Sequence, residues 1–216
     1  MSGEPASTLT LVCKKKSYSM FSAELVGFAA GALGMFFGLP QALRVRRLGH
    51  GRGVSLISWM LQFGVATAWA AYGLDVQSPS VLLTNVGAGL INASVIMAIM
   101  RNNVKSISIL IAYASVLTAL VLLLPSFLVS ALLISLVFAQ SPQIVKSYKN
   151  ISAGKDSAVS ITALSVSSFS ILLWFIYAIM VSDSLIIVST VISFTSMTSI
   201  IILELIGKRR RALNTA

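Results

Sequence analysis

Residues 36–47, FFGLPQALRVRR, recur later in the chain as residues 138–149, FAQSPQIVKSYK. Phe36 pairs with Phe138, Pro40 with Pro142, Gln41 with Gln143, Arg44 with Lys146 and Arg47 with Lys149. Each copy is an apolar run that ends in Pro-Gln and then turns basic. After a small shift in register the match continues: Val54-Ser55 pairs with Val159-Ser160, Trp69 with Trp174 and Tyr72 with Tyr177. A chain that repeats itself in the same direction is expected to fold as two similar halves, with its working site between them. Shared composition among apolar helices does not by itself produce Pro-Gln, the basic residues after it and Trp-x-x-Tyr at a nearly constant spacing.

Of 216 residues 56% are apolar and 10% charged, against roughly 25% charged in an ordinary soluble domain. The apolar residues come in long blocks instead of amphipathic stripes, the pattern of an all-α membrane protein with the lipid bilayer as its first partner. The net charge of +10 does not indicate nucleic acid, because the basic residues sit in short clusters between apolar runs, where the positive-inside rule puts them. The single cysteine, Cys13, rules out an intramolecular disulfide, and neither it nor the single histidine, His50, in a basic loop, provides for a metal site or cofactor.

Seven apolar blocks read as transmembrane helices: residues 24–43, 54–74, 79–100, 107–124, 127–145, 158–181 and 184–206. Arg44, Arg46, Arg47 and Arg52, then Arg101 and Lys105, then Lys146, Lys149 and Lys155, and finally Lys208 to Arg211, fall on one side of such a bundle. That side is expected to be cytoplasmic, with the N-terminus outside and the C-terminus inside; Lys14, Lys15 and Lys16 run against this rule. No organellar signal is recognisable, so the plasma membrane is the default location.

The repeat organises these spans as two parallel three-helix units joined by a linker helix, a 3+1+3 layout. An N-terminal tail (1–23) precedes the first unit (24–100), the linker (101–126), the second unit (127–206) and a basic tail (207–216). Three spans leave the chain on the opposite side, and a fourth crossing lets the second unit insert in the same orientation as the first.

Pro40 and Pro142 each lie near the end of a predicted span. Each removes the backbone bond to the carbonyl four residues back, at Phe36 and Phe138. Gln41 and Gln143 have amides placed to help satisfy such freed groups. The matched pair reads either as two hinges at an inner gate or as two helix terminators at the interface. Inside the spans, Trp69 and Asn85 flank the short turn at 75–78 at comparable depth, and Trp174 and Thr190 are their counterparts. Two indoles and two polar, uncharged side chains around a central axis suit a sugar: indole faces stack on its C–H faces, and an amide matches its hydroxyls. The competing readings are an interfacial aromatic belt for the tryptophans and helix–helix hydrogen bonding for Asn85 and Thr190. Tyr72 and Tyr177, nearer the boundary, are the better belt candidates.

Together these residues resemble the PQ-loop superfamily, and within it the SWEET sugar transporters and their three-helix SemiSWEET relatives. The resemblance covers residues 24–206 and rests on Pro40-Gln41, Pro142-Gln143, the two Trp-x-x-Tyr motifs and the Trp69/Asn85 spacing. It implies facilitated, bidirectional uniport of mono- or disaccharides by alternating access. It also implies that Trp69, Asn85, Trp174 and Thr190 line the substrate pocket and that Pro40 and Pro142 belong to the hinge set. The chain departs from the SWEET pattern in having no proline at 54–59 or 159–164, and Thr190 where a second asparagine is expected.

A proton-coupled PQ-loop amino-acid transporter is the first alternative. It needs a titratable carboxylate in the pathway, and only Glu24 and Glu204 lie in or beside the spans, both near ends where solvation is expected. A seven-span cargo receptor without transport activity is the second. An enzyme is disfavoured, because no histidine, cysteine or paired carboxylate lies within the spans. Association of several copies of the chain stays open.

Overall fold

The structure, a computed structural model, describes residues 20–35, 39, 43, 47, 56–100, 102–138, 141–152 and 161–214. It is all-helical, with eight helices and no strand among the described residues. They are α1 (Met20–Met35), α2 (Leu56–Asp75), α3 (Pro79–Met100), α4 (Asn103–Leu123), α5 (Ser126–Val137), α6 (Ser141–Ser152), α7 (Ile161–Val181) and α8 (Ser184–Asn214). Four of them contain a segment long and apolar enough to cross a membrane: Pro79–Met100, Asn103–Leu123, Leu164–Val181 and Ser184–Arg210. Helix α2 has the length of those four but not their mean hydropathy, and α1 and α5 are apolar but shorter. Large aliphatic side chains such as Leu90, Ile111 and Leu123 point away from the bundle, as in a protein whose outer surface faces lipid.

The helices stop where the chain cannot continue them. Leu124, at the end of α4, is extended (ψ 150°) because it precedes Pro125. At the start of α4 the Asn102 side chain accepts from the Lys105 N–H at 3.0 Å. Sequence reasoning takes residues 127–145 as one span, but the structure ends α5 at Val137 and starts α6 at Ser141. Pro142 has no N–H to give the Phe138 carbonyl, so it sits instead in the first turn of a new helix, where a missing donor costs nothing. Pro40 and Gln41 lie outside the described residues, as do residues 1–19 and the loop positions Arg44, Arg46, Arg52, Arg101 and Lys155.

The α2–α3 and α7–α8 hairpins are built alike, bond for bond. Helix α2 ends with the Ser78 N–H on the Gly73 carbonyl (2.8 Å) and the Gln77 N–H on the Leu74 carbonyl (3.3 Å). Helix α7 ends with the Asp183 N–H on the Ala178 carbonyl (2.9 Å) and the Ser182 N–H on the Ile179 carbonyl (3.2 Å). Both are Schellman ends, and their left-handed residues, Gln77 (φ 55°) and Ser182 (φ 58°), occupy matched positions. The next residue then caps the following helix: Ser78 Oγ accepts from the Val81 N–H (3.2 Å), and Asp183 Oδ1 accepts from the Ile186 N–H (3.0 Å).

Small residues let the helices approach. A Cβ on Gly73 would lie 2.5 Å from the Leu82 nitrogen and 2.9 Å from the Val81 carbonyl carbon, so α2 and α3 touch backbone to backbone there. Gly27 and Gly31, one turn apart on α1, lie against Ser80 and Thr84 of α3, a small-residue contact of the kind that joins helices in lipid. A central cluster then gathers Ala23, Val81, Tyr177, Ala178 and Ile186, from α1, α3, α7 and α8. A second joins α2 to α4 and α5 through Ala68, Ala71, Val121, Val129 and Leu133.

Gly73→Val should therefore force the first hairpin open, at about 1–3 kcal/mol for overpacking. Scanning fluorimetry of the purified protein should show a lower Tm for Gly73→Val than for the wild type. An unchanged Tm would mean that α2 and α3 do not meet there.

Candidate functional site, a cavity between the hairpins

A cavity of about 470 Å³ lies between α2, α3, α5, α7 and α8. Its lining includes Trp69 from α2, Asn85 from α3, Trp174 from α7 and Thr190 from α8. The four residues singled out in the sequence thus come together at one place. Around them the wall is largely aliphatic, with Val65, Ile171 and Met197 among its members, and among the described residues no charged side chain lines it.

Each indole is held by the tyrosine one turn further along its own helix. The Trp69 and Tyr72 rings meet edge to face at 5.6 Å and 89°, and the Trp174 and Tyr177 rings at 5.4 Å and 85°. Both tryptophans are partly buried and pack on the central cluster, so they are not an aromatic belt at a lipid boundary. Nor, among the described residues, does Asn85 or Thr190 hydrogen-bond to another helix. The Asn85 amide donates to the Val81 carbonyl of its own helix at 2.8 Å, and the Thr190 hydroxyl donates to the Ile186 carbonyl at 2.8 Å. These are again matched bonds. They leave the amide oxygen and second amide proton of Asn85, and the lone pairs of Thr190, for whatever enters the cavity.

Beyond the tryptophans, toward the two hairpin turns, the tyrosines close the bundle by reaching across it. The Tyr72 hydroxyl donates to Asp183 Oδ2 at 2.7 Å, joining α2 to the α7–α8 turn. Reciprocally, the Tyr177 hydroxyl lies 2.7 Å from Ser78 Oγ, joining α7 to the α2–α3 turn. Both of these last hydroxyls also reach Glu24 Oε1, at 3.3 and 3.4 Å. The other oxygen of Glu24 accepts from the Ser80 N–H at 2.7 Å, which sets a carboxylate on the N-terminus of α3. The expectation of a tyrosine belt is corrected by this geometry: Tyr177 is 2% exposed, and both hydroxyls are spent on partners in the opposite hairpin. One more bond crosses between α7 and α1, from Ser170 Oγ to the Ala30 carbonyl at 2.8 Å.

The two carboxylates read as solvated helix ends are both engaged by the protein. Glu24 is partly buried in the network just described, and Glu204 is 3% exposed, accepting from Ser147 Oγ of α6 at 2.7 Å. Helix α6 packs on α8 and meets Glu204 through Ser147, a contact that spacing along the chain does not reveal. Gln143 lies in the first turn of α6 beside Pro142. Sequence reasoning also passed over Gln62, Ser189 and Ser193, which line the cavity. A signal existed for each: Gln62 lies two turns before Trp69 on one helix face, Ser189 adjoins Thr190, and Ser193 follows one turn later.

Tyr177→Phe should cost about 1–3 kcal/mol, because Ser78 and Glu24 lose a partner in a buried place. The expected readout is a lower Tm in detergent with unchanged far-UV circular dichroism; a Tm equal to that of the wild type would mean that this hydroxyl does not tie the hairpins. No protein-family model matches the chain, and no curated protein sequence matches it.

Proposed function

We propose that the protein is a membrane transporter of the PQ-loop, SWEET-like kind, moving neutral sugars by facilitated uniport. In this reading α1 to α3 form one three-helix unit, α4 is the linker, and α5 with α6, α7 and α8 form the second, giving seven crossings. The observation that carries the reading is the cavity: Trp69 and Asn85 from one half and Trp174 and Thr190 from the other converge on one uncharged space. Indole faces and uncharged polar groups bind a molecule that is itself apolar on its C–H faces and polar at its hydroxyls. A cationic or anionic substrate would need a charged partner there, and the described lining residues offer none.

Alternating access follows from the same contacts. The Tyr72–Asp183 and Tyr177–Ser78 bonds tie the hairpins together at one end. Breaking them opens the cavity on that side, and movement at Pro142, whose sequence counterpart is Pro40, opens the other. In this reading the second side is cytoplasmic and the tyrosine end lies outside, which the basic clusters support, and the plasma membrane is the default location.

One observation favours a second reading, proton coupling. Glu204 is buried in a candidate spanning helix one turn beyond Ile200, which lines the cavity, and the Ser147 hydroxyl is its hydrogen-bond donor. In that case Glu204→Gln would abolish the response of uptake to an imposed proton gradient.

The deciding experiment is uptake of labelled glucose and sucrose into liposomes holding the purified protein, with and without a proton gradient. The expected result is uptake independent of the gradient, reduced at least about 10-fold by Trp69→Ala or Asn85→Ala, as loss of a stacking or hydrogen-bonding anchor requires. If no sugar enters while a proton gradient drives amino-acid uptake, the sugar reading is wrong.

A further inference from the structure

The two halves of the cavity wall are not equivalent, although the hairpins that build them are. On α3 the residues matched to Ser189, Thr190 and Ser193 of α8 are Thr84, Asn85 and Ala88. Among those on α3, Asn85 lines the cavity; all three on α8 do. Helix α3 therefore contributes one amide-bearing residue to the wall, whereas α8 contributes three hydroxyl-bearing residues spaced to share a helix face.

Ser189 is the telling member. It is 4% exposed, it lines the cavity, and its Oγ has no hydrogen-bond partner among the described residues. Its counterpart Thr84 is equally buried, yet gives its hydroxyl proton to the carbonyl one turn back, Ser80, at 2.7 Å. Thr190 does the same with Ile186. Ser189 has an equivalent carbonyl within the same helix and does not use it. A buried hydroxyl without a partner is rare in a native fold and marks a group that meets its partner in another state. Thr190, its proton spent, can only accept, so Ser189 supplies what Thr190 cannot.

Resting on the sugar reading above, we propose that Ser189, with Thr190 and Ser193, forms a hydroxyl subsite on α8 that binds adjacent hydroxyls of a neutral polyol or sugar. Ser189 donates to one ligand oxygen, Thr190 accepts from a neighbouring ligand hydroxyl, and Asn85 holds the opposite end through its amide. The ligand thus sits in one preferred direction across the axis, not equally in two.

The test uses the full chain in liposomes with glucose and a series of its monodeoxy analogues, comparing wild type with Ser189→Ala and Ser193→Ala. Loss of a single neutral hydrogen bond should raise KM for glucose by roughly 5- to 10-fold in Ser189→Ala. One deoxy analogue should show that loss already in the wild type and no further loss in the variant. The Tm of Ser189→Ala should equal or exceed that of the wild type, since a hydroxyl with no partner in the protein is removed; a structural role would lower it. Unchanged KM in Ser189→Ala, an equal loss with every analogue, or a fall in Tm overturns the subsite while leaving sugar transport standing. Failure of the wild type to transport any sugar overturns both.

Discussion

Two tyrosine hydroxyls, each reaching into the turn of the opposite hairpin, are the interaction on which the rest of the bundle depends. Between apolar helices in a bilayer there is no hydrophobic drive to choose one arrangement over another, because lipid is as apolar as leucine. Directional polar contacts and close backbone approach decide it instead. Tyr72 on Asp183 and Tyr177 on Ser78 and Glu24 set the two hairpins face to face. The same acceptors cap α3 and α8, so the groups that end one helix and begin the next are also those that join the halves. The tryptophans one turn inside are then oriented by the rings of those tyrosines, edge to face.

What can be read without the structure follows from where the sequence breaks its own monotony. Long apolar runs mark helices, and the turns around residues 75–78 and 182–183 are legible from Asp and Ser between apolar blocks. Trp69, Asn85, Trp174 and Thr190 stand out as exceptions inside those runs, and the structure brings all four to one cavity. A helix that is apolar all round has no face, however, so the direction in which its few polar residues point is fixed only by packing. For that reason the partners of Tyr72 and Tyr177 and the burial of Glu204 were not legible, and Ser189 was hidden among ordinary serines. The start of α6 is half legible: Pro142 marks a hinge or a helix end in the sequence, but the packing of α6 on α8 at Glu204 has no signal in spacing.

The cavity and its closure account for each other. An uncharged space in a low-dielectric surrounding costs little to maintain, and it admits a neutral hydroxylated molecule without asking it to shed a full charge. The bonds at the tyrosine end are few and involve hydroxyls; in the alternating-access reading they define the closed state and exchange on opening. A pair of such bonds, each worth about 0.5–3 kcal/mol depending on the charge of the partner, is of the size needed to hold a minor open state within thermal reach. In the proposed transport reading, the difference between an amide on α3 and hydroxyls on α8 orients the ligand without giving transport a direction.

The most direct measurement is transport through a protein whose tyrosine end has been covalently bridged. Gln77→Cys and Ser182→Cys, exposed residues of the two hairpin turns that leave both tyrosine bonds in place, in a Cys13→Ser background that has no other thiol, would be joined by a cleavable bifunctional thiol reagent in liposomes. The account predicts sugar uptake in the unbridged variant, its loss on bridging and its return on cleavage. Uptake that continues unchanged through the bridged protein would contradict it.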